Sequence, residues 1–111
     1  MLLKNSIRND FVREGFVGPL DVLTREHAQA ALEQVQEELG RPNANRFKLH
    51  LILSCLSEIA HQPTLVAAVQ RALKRQNILL WSSDINLKPP QSTGLFAPHP
   101  DATYAVLPPA S

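Results

Sequence analysis

Apolar residues recur at helical spacing through most of the first three-quarters of this chain, and the period then changes to two. Ser6 can cap a short helix from Ile7 to Glu14, and Gly15 can end it by supplying a left-handed position. Phe16-Val17 reads as a brief strand before Gly18-Pro19. Thr24 then caps the clearest element, in which Ala28, Ala31, Leu32, Val35 and Leu39 recur on one face until Gly40 and Pro42 stop it. Arg41 to Arg46 is a loop. From Leu49 to Ala60 the residues Leu49, Ile52, Leu53, Leu56 and Ile59 share one helical face, although the first of them suit an extended chain equally well. Pro63 fits the first position of a further helix, carried by Val66, Val69, Ala72 and Leu73 to about Arg75.

Between Ile78 and Lys88 the pattern alternates. Leu79, Trp81, Ile85 and Leu87 fall on one side, with Ser82, Asp84, Asn86 and Lys88 on the other, the signature of a strand with one core face and one wet face. About ten residues later comes His99-Pro100-Asp101, followed by Thr103-Tyr104. On an extended backbone, residues i and i+2 project to the same side, so the imidazole and the carboxylate would point toward one place. One His and one carboxylate are two of the three ligands of the 2-His-1-carboxylate facial triad that holds non-haem Fe(II). The third is not visible: after Asp101 the sequence has no further His.

The run Ile78 to Pro90, a Gly/Ser/Thr-containing spacer, and His99-Pro100-Asp101-Ala102-Thr103-Tyr104 together resemble the phytanoyl-CoA dioxygenase family. Members share a strand ending in Lys-Pro, a short loop, and His-x-Asp closely followed by Tyr. Upstream, Phe11-Val12-Arg13-Glu14-Gly15-Phe16-Val17 is similar to the family's opening helix and strand, and Leu23-Thr24-Arg25-Glu26 to the start of its first long helix. The resemblance spans nearly the whole chain but only the first half of the family's domain. It has no counterpart for the distal His or for the Arg that pairs with the far carboxylate of 2-oxoglutarate.

That resemblance implies an α+β fold, with a helical layer over residues 1–76 packed on the opening strands of a double-stranded β-helix, a jelly-roll or cupin-like barrel left incomplete, over residues 77–111. It implies an Fe(II)/2-oxoglutarate-dependent dioxygenase that hydroxylates a small molecule, with His99 and Asp101 as metal ligands and with the 111-residue chain inactive by itself. Asn86, on the polar side of the strand, is the candidate to hydrogen-bond 2-oxoglutarate, because an amide donates to a carboxylate without adding a competing negative charge. Lys48 stands where some members carry a cosubstrate-binding lysine. Asp84 would repel the cosubstrate and is assigned to substrate or a neighbouring cation. Related halogenases have a small residue at the position of Asp101, so the carboxylate favours hydroxylation. Ala105 departs from the family, where an aromatic is common.

Composition narrows the alternatives. With 11 basic and 10 acidic residues the net charge is +1, which is no nucleic-acid footprint. The densest basic stretch, Arg71 to Arg75, sits at a helix end, where cations complement the macrodipole. Cys55 is the single cysteine and falls among apolar residues, so a reduced, buried thiol is expected, as in a cytoplasmic protein. No apolar run reaches the roughly 20 residues needed to span a bilayer, and the N-terminus lacks the features of a signal or transit peptide. Glu58-Ile59-Ala60-His61 has the Glu-x-x-His spacing of di-iron bundles, which need two copies and further Glu. A solvated helix end is the expectation there. His27 and His50 have no partner at ligand spacing, and neither a nucleophile elbow nor a Gly-rich phosphate loop is present. Two non-catalytic alternatives stand beside the oxygenase: a fragment that associates, with itself or a partner, through an exposed strand edge, and a small helical interaction domain in which His-Pro-Asp carries no chemistry.

Overall fold

The computed structural model describes residues 6–99. It contains α1 (Ser6–Glu14), α2 (Arg25–Leu39), a 3-10 turn (Leu49–Leu51), α3 (Ser54–Ala60) and α4 (Pro63–Leu73). The boundaries follow local chemistry. Gly15 closes α1 at φ 79°, where its N–H reaches the Phe11 carbonyl at 2.8 Å. Thr24 caps α2, its hydroxyl accepting from the His27 N–H at 3.2 Å. Proline opens α4, where its missing N–H leaves no helical bond unmade. The apolar run beginning at Leu49 is split, since the chain leaves helical geometry at Leu53 (φ −104°, ψ 115°) before α3 begins.

The helices pack around a sparse core. Ile7 of α1 is buried against Ala68 and Ala72 of α4, with Phe11, Val17 and Leu20 closing around them. Small residues on α4 let the two helices approach closely. The predicted face of α2 is covered only in part: Ala31 is buried, whereas Leu32 remains 44% exposed. Glu38, on the same helix, is buried and lies 3.3 Å from the guanidinium of Arg41. Leu49 is the one large side chain with no exposure at all among the described residues. Cys55, expected to be buried, is half-buried.

The α+β expectation is overturned. Among the described residues there is no strand, so the helices do not pack on the opening strands of a jelly-roll. Phe16-Val17 and residues 78–88 are irregular or extended chain without a ladder. The reason lies in what a strand requires. Alternation permits a strand, but pairing with a neighbour makes one, and only two backbone bonds tie residues 78–88 to the rest of the described chain: Leu49 N–H to the Ser83 carbonyl at 3.2 Å and Ile85 N–H to the Arg46 carbonyl at 3.0 Å. The expected core face is consequently open, with Leu79 84%, Trp81 70% and Leu87 59% exposed. No described helix is long and apolar enough to cross a membrane.

Candidate functional site

Residues 78–99 leave the end of α4, run beside the 3-10 turn, bend at Pro89–Ser92 and reach His99. The bend is closed by the Ser92 N–H on the Pro89 carbonyl at 3.2 Å, with Gln91 in the left-handed region at φ 60°. His99 is exposed, and its Nδ1 lies 2.9 Å from the Ala97 carbonyl oxygen. A carbonyl only accepts, so in this contact Nδ1–H is the donor. Metal-bound histidines are oriented in the same way, by giving their second N–H to a carbonyl or carboxylate. Asp101, the other predicted ligand, lies outside the described residues, as does Tyr104. Among the described residues no three His, Cys, Asp or Glu groups converge to hold a metal ion.

The two predicted cosubstrate residues sit on neighbouring segments. Lys48 precedes the 3-10 turn in left-handed conformation (φ 53°), and its ammonium lies 5.7 Å from the centroid of the Trp81 ring. Its backbone N–H points to Asp84 Oδ1 at 3.4 Å. Asp84 also accepts from the Ser82 hydroxyl at 2.5 Å, so its carboxylate is engaged locally. Asn86 is exposed two residues further on. The fold therefore brings Lys48 beside the segment that carries Asn86, with the cation drawn toward the aromatic ring.

The other histidines are accounted for separately. His61 holds the Ser57 carbonyl through Nδ1 at 2.7 Å, and Glu58 is exposed beside it, as expected of a helix end. His27 is exposed on α2. His50 makes the contact that sequence reasoning missed: both its backbone N–H and its ring meet the hydroxyl of Ser83. The signal was present in Ser82-Ser83-Asp84, a cluster of short polar side chains of the kind that bond nearby backbone groups, but nothing local named the partner. Comparison with protein-family models, curated proteins and solved structures found no match.

Proposed function

We propose that this chain supplies half of a non-haem iron site of the Fe(II)/2-oxoglutarate-dependent hydroxylase type, through His99 and Asp101. The observation that carries the reading is the His99–Ala97 contact, in which Nδ1–H is directed at a carbonyl, the orientation that metal-bound histidines take. The donor chemistry fits: an imidazole nitrogen and a carboxylate oxygen suit ferrous iron. It fits as two ligands of three: no His follows Asp101 in the sequence, and no three such groups converge among the described residues. The proposal rests on these side chains and on the spacing of the motif; the barrel is no part of it.

When bound, iron and 2-oxoglutarate supply the oxidising power to hydroxylate a C–H bond of a small-molecule substrate. The chain's own residues have simpler tasks. His99 donates its lone pair in an orientation held by Ala97. Asp101 would contribute a carboxylate where related halogenases have a small residue. Asn86 donates an N–H to a carboxylate of the cosubstrate, and Lys48 offers it a positive partner.

A metal titration followed by NMR tests the assignment. Adding Fe(II) without oxygen should broaden the ring signals of His99 before those of His27, His50 and His61, and Asp101→Ala should abolish that order. Equal broadening of all four histidines sinks the proposal. With two ligands only, the 111-residue chain should not couple 2-oxoglutarate consumption to substrate oxidation.

A second reading draws on the exposed apolar side of residues 78–88. An extended segment with few backbone bonds and with Leu79, Trp81 and Leu87 uncovered is a template for strand addition, and a second copy of the chain is the simplest partner.

A further inference from the structure

Where α1 meets the C-terminal end of α4, the surface forms a cleft of about 790 Å³ lined by Arg8, Arg71, Lys74 and Arg75 together with the amides of Asn9 and Gln70. Among the described residues no carboxylate lines it. From Ile59 to Ser83 the sequence contains no acidic residue, and among the described residues none of the four cations forms a salt bridge; those recorded involve Arg13 and Arg41.

The cleft is organised by the backbone. Arg8 reaches across from α1 and donates through Nη1 to the Ala72 carbonyl, which anchors one end of its guanidinium at the helix terminus. Lys74 ends α4 in left-handed conformation (φ 54°), so that the Arg75 N–H returns to the Gln70 carbonyl at 3.1 Å. The Gln70 amide then pins the turn by donating to the Gln76 carbonyl at 2.8 Å. Glycine would make this turn without strain; the chain places a cation at that position instead. The negative end of the α4 dipole amounts to about half a charge and is outweighed by four full positive charges.

We propose that this cleft is an anion site that takes the phosphate groups of a small polyphosphorylated ligand. Guanidinium groups pair bidentately with phosphate oxygens, and Gln70 and Asn9 add neutral donors. The size suits a small molecule. A long nucleic acid fits less well, because the chain as a whole carries a net charge of only +1. The site is independent of the iron reading, since it shares no residue with it.

Inorganic pyrophosphate is the probe, titrated into the 111-residue chain by calorimetry at low ionic strength, where screening is weakest. Saturable one-to-one binding is expected. The double variant Arg71→Gln/Arg75→Gln, confirmed as folded by circular dichroism, should bind about ten- to a hundredfold more weakly. Arg46→Gln, outside the cleft, should bind as the parent does. Arg71→Lys/Arg75→Lys should restore part of the affinity, since charge is kept while the fork is lost. Vesicles containing a phosphoinositide separate a lipid headgroup from a free ligand: competition by soluble pyrophosphate would show that the same cleft takes both. Failure to saturate by roughly 1 mM pyrophosphate, undiminished binding by the double glutamine variant, or vesicle binding that pyrophosphate does not displace would each overturn the proposal.

Discussion

Ser83 holds His50 at two atoms: the His50 backbone N–H donates to Ser83 Oγ at 3.0 Å, and the same hydroxyl lies 2.5 Å from His50 Nδ1. The hydroxyl's second bond, to Nδ1, runs in the direction that the imidazole tautomer sets, since Oγ can accept twice and donate once. One short side chain thus attaches the extended segment to the 3-10 turn, assisted by the Leu49 N–H on the Ser83 carbonyl. Ser83→Ala removes both side-chain bonds and leaves part-buried groups without partners. It should cost about 1–2 kcal/mol, read from urea denaturation, and should speed amide exchange at Leu49, His50 and Ile85 while α1 and α4 stay protected. Uniform loss of protection would mean that the attachment is part of one cooperative unit.

Leu49 lies beneath that attachment and is fully buried. Truncation to alanine leaves a cavity in a layer with little else to fill it, and should destabilise the chain by about 2–5 kcal/mol. Leu51→Ala, at a neighbouring side chain that is 74% exposed, should change stability by less than about 0.5 kcal/mol. Equal effects from the two variants would contradict the placement of Leu49.

Asn86→Leu removes an amide at nearly constant volume. With iron and the third ligand supplied, it should raise the 2-oxoglutarate requirement by one charge-assisted hydrogen bond, about 1.5–3 kcal/mol or ten- to a hundredfold. Iron affinity should hardly move. An unaltered cosubstrate requirement would remove Asn86 from the site.

Leu79 and Trp81 are uncovered on the extended segment. Sedimentation should show concentration-dependent self-association of the chain, and Leu79→Lys should suppress it by placing a charge on the edge. A parent chain that stays monomeric at high concentration, with Trp81 shielded from quenchers, would rule out edge association.

The ends of the helices were legible in the sequence because capping is local. Thr24, Gly15 and Pro63 each act within one turn of where they stand: α1 ends at Gly15, α2 begins after Thr24 and α4 begins at Pro63. The strand at 78–88 was not decided locally. Its alternation is real, but a ladder needs a second strand, and the described chain brings only single backbone bonds from Arg46 and Leu49. The packing of Lys48 on Trp81, the grip of Ser83 on His50 across 33 positions, and the arrival of Arg8 at Ala72 across 64 belong to tertiary structure alone. Sequence placed Arg71, Lys74 and Arg75 at the end of a helix as ordinary complements to its dipole. Only the packing of α1 on α4, driven by burial of Ile7 against Ala68 and Ala72, added the fourth cation and turned a charged helix end into a cleft.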